Sequence, residues 1–169
     1  GSLTQTGNRY DLAIDGRGYF QVLMPDGSTA FSRAGNFAVN DQGILCTDDG
    51  YLIQPQITVP ADAKDVIISK TGQVQVLSGA DPAPQIVGQL ELATFMNEAG
   101  LQAIGDNLYL ESGASGAAVT GSPGEVGFGQ LMQGYTEASN VDAVSEITNL
   151  IVAQRAYEMN SKIVTAADE

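Results

Sequence analysis

The chain has 169 residues, enough for one ordinary domain with an appendage, and its 20 acidic and 7 basic residues give a net charge of -13. That balance excludes nucleic acid and anionic membrane as main partners, because both reward clustered Lys and Arg; it also serves plain solubility. The chain has no His, which removes every Ser-His or Cys-His nucleophile scheme and most zinc sites.

In chain order, the pattern from Leu12 to about Tyr135 predicts strands. The opening motif Asp15-Gly16-Arg17-Gly18-Tyr19-Phe20 lacks the third glycine of a dinucleotide fingerprint. It also leads into a strand rather than a helix, so that reading fails. Gly16 and Gly18 permit a bulge or the close approach of another backbone; a simple turn explains them equally well. Apolar runs follow at 19–24, 44–47, 66–69, 74–77 and 86–94. They are cut by Pro25-Asp26-Gly27, Asn40-Asp41-Gln42-Gly43, Asp48-Asp49-Gly50 and Lys70-Thr71-Gly72, each with a residue that tolerates positive φ or pre-sets a turn. Asp48-Asp49-Gly50 lacks the alternating ligands and twelfth-position Glu of a calcium loop and reads as a hairpin turn. Val74 and Val76 alternate with Gln73 and Gln75, as in a half-buried strand. The lone Cys46 excludes an internal disulfide and reads as a small core residue. Residues 55–62, with Pro55 and Pro60, predict an extended edge or connector. Residues 113–129, rich in Gly, Ala and Ser, predict a surface loop of which part can pair as strand, and a last apolar run spans 126–135.

After the β region the pattern changes. Residues 139–162 read as one long helix, capped by Ser139 or Asn140, with Asp142 and Glu146 suited to its positive end. No Gly or Pro occurs from Val141 to Glu169. With Ile147 at heptad position a, the d column is Ala143, Leu150, Tyr157 and Val164, all apolar. The a column is Asn140, Ile147, Gln154 and Ser161, mostly polar. Val144 and Ile151 at e, and Val152 and Met159 at f, are apolar off the seam. A helix apolar on several faces is buried by several neighbours, and polar seam residues fix register and partner number. The predicted fold class is therefore mainly β: a complex antiparallel module, sandwich- or barrel-like, over 1–136, then one long C-terminal helix over 137–169. The helix points to an assembly subunit. Its expected interface is Ala143, Val144, Ile147, Leu150, Ile151, Gln154, Tyr157, Met159, Ser161 and Val164.

No run of about 18 apolar residues predicts a membrane-spanning helix, and no secretory signal is visible. Gly1 is not a natural start, so a preceding segment is expected. No motif assigns a cofactor, a metal or a catalytic residue, and the expectation is a protein that is not an enzyme.

Two stretches carry a resemblance. The first is DLAIDGRGYFQV from Asp11, with the later segment Phe31-Ser32-Arg33-Ala34-Gly35-Asn36-Phe37. The second is GQLMQGYTEASNV from Gly129, running on to QRAYEMNSK from Gln154. Together they resemble the bacterial flagellar rod and hook family over almost the whole chain. The middle stretch GQLELATFMNEAGLQAIGDNLYLES from Gly88 looks most like its distal-rod members. The resemblance implies a non-enzymatic axial subunit that is exported by the flagellar apparatus and polymerises helically in the periplasm. It implies an inner layer of paired N- and C-terminal helices and an outer β layer that includes the Gly16, Gly18 and Phe20 motif. The implied partners are further copies of the chain, other rod and hook subunits, the surrounding ring proteins and an N-terminal helix of the same chain. A hook or proximal-rod role, or from another class a secreted adhesin or carbohydrate-binding β module, is the alternative. The latter needs an exposed aromatic platform, whereas the 11 aromatics here fall mostly at strand positions, which favours core packing.

Overall fold

The structure, a computed structural model, describes residues 2–79 and 82–138. The helix expected over 137–169 and its interface positions from Ala143 to Val164 lie outside the described residues. Within Ser2–Glu137 the chain forms sixteen strands and one 3-10 turn at Glu98–Gly100. The strands are β1 (Leu3–Gln5), β2 (Leu12–Asp15), β3 (Tyr19–Leu23), β4 (Thr29–Ser32), β5 (Phe37–Val39), β6 (Leu45–Thr47), β7 (Leu52–Gln54) and β8 (Ala63–Ile68). They continue as β9 (Gln73–Ser78), β10 (Gln85–Gln89), β11 (Leu92–Thr94), β12 (Gln102–Gly105), β13 (Leu108–Leu110), β14 (Val119–Gly121), β15 (Gln130–Gln133) and β16 (Tyr135–Glu137).

Each expected turn closes a hairpin. Between β3 and β4, Gly27 N–H donates to Met24 O at 2.9 Å, and Asp26 Oδ1 accepts from Ser28 N–H at 2.8 Å. Between β5 and β6, Asn40 Oδ1 accepts from the N–H groups of Gln42 and Ile44. Asp48-Asp49-Gly50 joins β6 to β7 with Gly50 N–H on Thr47 O, and Gly72 N–H on Ser69 O joins β8 to β9. These short side chains mimic a backbone turn, which fixes hairpin register locally.

All strand pairs are antiparallel. A nine-stranded sheet runs β12-β13-β4-β3-β7-β6-β5, with β11 joining β3 and β14 joining β11. The others are β10-β9-β8, β15-β2 and β1-β16. The large sheet is apolar on both faces. Phe20, Val22, Ala30 and Leu92 point into the main core with Ile14, Ile53, Val74, Val76 and Leu131. Phe31, Ala93 and Phe95 form a second cluster, with Tyr19 packed against it. Alternation along β3, β4 and β11 sends successive side chains to opposite clusters, so Ala30, Phe31 and Ser32 are all buried in one strand. The aromatics interlock edge-to-face, Phe20 on Phe37 at 4.9 Å and Phe31 on Phe95 at 4.8 Å, the arrangement the ring quadrupole favours.

Val74 and Val76 are each 1% exposed and Cys46 is 4% exposed, as their patterns indicate. Two segments take the form the sequence allows, and the run from Val126 departs from it. The connector 55–62 lies along β6, where Leu45 N–H donates to Ile57 O and Val59 N–H to Gly43 O, and it buries Ile57 and Val59. In the Gly-, Ala- and Ser-rich stretch, β14 pairs with β11. There Ser115 is fully buried, its Oγ accepting from Ser112 N–H. The run from Val126 divides: Val126 is fully exposed, whereas Leu131 is in the core.

Candidate assembly site

The motif Asp15-Gly16-Arg17-Gly18 turns the chain from β2 into β3. Gly16 has φ 125°, and a Cβ there would sit 2.7 Å from Gly129 Cα. Gly129 in turn presses on Asp15 and Gly16, and its N–H donates to Arg17 O at 2.7 Å. Two glycines thus meet back to back where β15 begins; a Cβ on either would open the contact. Gly18, at φ 134°, packs on the Leu92 side chain rather than on backbone. Phe20, 1% exposed, roots the motif in the core. Arg17 reaches outward to Phe95 O at 3.2 Å and Glu98 Oε2 at 3.5 Å. That exposed pair adds little stability.

Arg33 organises the same turn from the other side. Ser32 Oγ accepts from Ala34 N–H, bending the chain after β4. Gly35 then lies against Leu12 O, with Leu12 N–H donating to Gly35 O at 2.9 Å. This brings Arg33 under the motif, where all five of its N–H donors are used. Nη1 donates to Gly16 O at 2.8 Å and Gly18 O at 2.7 Å. Nη2 donates to Ile14 O at 3.2 Å and Glu137 Oε2 at 2.6 Å, and Nε to Glu137 Oε1 at 2.9 Å. The last two form a bidentate fork, the strong arrangement for a guanidinium and a carboxylate. The Glu137 side chain is 7% exposed. Burial pushes its pKa up; the Arg33 hydrogen bonds and charge, joined by the positive charge of the chain's N-terminus, bring it below the ordinary 4.5.

Glu137 ends β16, which pairs with β1 in the register Leu3↔Glu137, Thr4↔Thr136, Gln5↔Tyr135. The chain therefore enters and leaves this unit along one two-stranded ladder. At its inner end Thr6 and Gly7 N–H both donate to Gly134 O, and Gly134 N–H donates to Asp11 O at 2.8 Å. Nearby, Gln133 stitches β15 to the edge of β8: Ile68 N–H donates to its Oε1, and its Nε2 donates to Val66 O and Arg9 O, each at 2.9 Å.

A concavity of about 100 Å³ gathers Asp48, Asp49 and Asp106 with Asn36, Asn107 and Tyr51. Among the described residues no group of three His, Cys, Asp or Glu is placed to hold a metal ion. What the geometry offers is mechanical: a β unit whose entering and leaving strands are tied to its interior by part-buried polar bonds. Sequence reasoning singled out Gly16, Gly18 and Phe20 and left the roles of Arg33, Gly129, Gln133 and Glu137 unread. All four lie inside the two stretches that carried the family resemblance, which is the signal that could have found them.

Residues 13–76 match the family described as the flagellar hook protein FlgE/F/G D1 domain. Residues 132–169 match the flagellar basal body rod FlgEFG protein C-terminal family. The chain is 62% identical over 169 residues to the flagellar basal-body rod protein FlgG of Caulobacter vibrioides, covering 100% of this chain and 64% of that protein. It is 53% identical to the FlgG of Agrobacterium fabrum with the same coverage, and 46% identical over 174 residues to that of Bacillus subtilis, covering 99% of this chain and 65% of the relative. The chain thus spans about 64% of the length of the curated relatives it matches.

Proposed function

The chain belongs to the bacterial flagellar basal-body rod proteins, and on that premise we propose that it is a structural subunit of the distal rod, the drive shaft between motor and hook. The observation that carries this reading is similarity over the whole chain to proteins of that name. The choice of rod type rests on a contrast within one organism. Identity to the FlgG protein of Caulobacter vibrioides is 62%, and to its FlgF protein 38%.

In this reading the protein is not an enzyme. It polymerises helically in the periplasm with further copies of itself and abuts other rod and hook subunits and the surrounding rings. The C-terminal helix, through Ala143, Val144, Ile147, Leu150, Ile151, Gln154, Tyr157, Met159, Ser161 and Val164, packs against an N-terminal helix and against neighbouring subunits. The mixed seam supports this: a helix apolar at d, e and f satisfies itself only among several neighbours. The β unit faces outward.

The test is deletion of the gene in its host, with electron microscopy of isolated basal bodies. The reading expects basal bodies that carry a short rod without hook, and full-length rods when the gene is restored. Complete rods and normal hooks in the deletion strain would refute it.

A further inference from the structure

The geometry points to the Arg33–Glu137 fork as a mechanical lock that keeps the entering and leaving strands fastened to the β unit when load passes between this unit and the rest of the chain. The inference rests on the rod reading, since it concerns a subunit that bears torque. Leu3↔Glu137 is the last pair of the β1–β16 ladder, at the end away from Gly134. Force that separates the strands starts there, and a two-stranded ladder is marginal by itself. Ordinary ladder bonds at that end would open one pair at a time. Here the end pair is held from the side. The Glu137 carboxylate takes two bonds from a guanidinium that is itself pinned to the carbonyls of Ile14, Gly16 and Gly18. Ile14 lies in β2, and Gly16 and Gly18 lie in the turn that follows it, where Gly16 abuts Gly129. Load at Glu137 is thus spread onto β2, β3 and β15 instead of falling on the three residue pairs of one ladder.

Arg33 is on this account a positioning residue, and a lysine cannot replace it. An ammonium carries the charge but lacks the planar five-donor fork. The fork adds polar bonds at a strand end.

The experiment combines amide hydrogen exchange on the purified full-length protein with swimming of cells that carry the same variant. Arg33→Lys should raise exchange about 10-fold or more across Leu3–Gln5 and Tyr135–Glu137 while β3 and β9 keep their rates, since local opening is independent of global unfolding. Those cells should swim normally in thin medium and stall in viscous medium. Glu137→Gln should repeat both results, and it carries the test alone if the lysine variant does not fold. Unchanged ladder exchange would overturn the inference, as would an equal rise in β3 and β9 or normal swimming in viscous medium despite a loosened ladder. These outcomes leave the rod reading standing. That reading falls separately if the deletion strain swims, and the inference falls with it.

Discussion

Gly16 shows at residue scale how a backbone requirement separates from an ordinary turn. Gly27, at φ 90°, has nothing within 4 Å of a built Cβ, whereas Gly16, at φ 125°, faces Gly129 Cα at 2.7 Å. Gly27→Ala carries only the left-handed backbone penalty, about 1–2 kcal/mol. Gly16→Ala adds a steric clash against backbone, an overpacking cost of about 1–3 kcal/mol more. Urea melts of the two variants should rank them in that order; equal midpoints would show that the β2–β3 turn is free to move away from Gly129. Glu137 gives a second expectation at this scale. Its carboxyl is held below the ordinary 4.5 in the folded protein. A depressed folded pKa contributes stability that is fully present above the unfolded value and is lost as pH falls through the folded one. Thermal melts should show wild type above Glu137→Gln at neutral pH, with the gap closing at pH values below about 4.5, where wild type also becomes protonated. A gap that persists undiminished in acid would show that the carboxylate charge is not what Arg33 holds.

Among the elements, the hairpins were legible in the sequence because their determinants are local. Asn40, Asp26 and Gly50 sit inside the turns they close, and the alternation of Val74 and Val76 needs only one buried face. The β11–β14 pair was not legible in the same way. Its outer strand, Val119-Thr120-Gly121, follows a run of Gly, Ala and Ser with no alternation, and what places it is its antiparallel ladder with Leu92-Ala93-Thr94, distant in the chain. Nor could the burial of both Ala30 and Phe31 be read from a strand pattern that assumes one wet face. The Arg33–Glu137 fork joins residues 104 apart in the chain, and nothing local marks it. The same fork sets where the β unit can be cut. A chain ending at Ala138 keeps β16 whole and should melt cooperatively near the intact protein. A chain ending at Gly134 loses β16 and leaves the Arg33 fork half empty, and its midpoint should drop. Scanning calorimetry of the two truncations decides this; equal midpoints would mean that β16 contributes nothing to the unit.

The whole molecule combines a β unit with part-buried polar ties and a C-terminal sequence that is apolar on too many sides to stand alone. The net charge of -13 disfavours contact between copies, so the proposed association rests on shape and apolar burial. The family assignment explains why a chain without His or a metal-binding cluster among its described residues should combine these features. On the rod reading proposed above, the chain is one of many identical parts of a shaft. The central claim is that the C-terminal segment is an inter-helix surface and not part of the core of the β unit. Leu150→Asp tests it most directly, because the proposed helix puts Leu150 at d with Ala143 and Tyr157 one heptad to either side. A carboxylate buried there without a partner costs several kcal/mol, about 3 or more, and the cost recurs in every subunit. On the proposed reading it meets water in the separate monomer. The measurement is rod assembly and motility in cells beside a thermal melt of the purified variant: the account predicts no rods with an unchanged melt, and normal motility with an unchanged melt would contradict it.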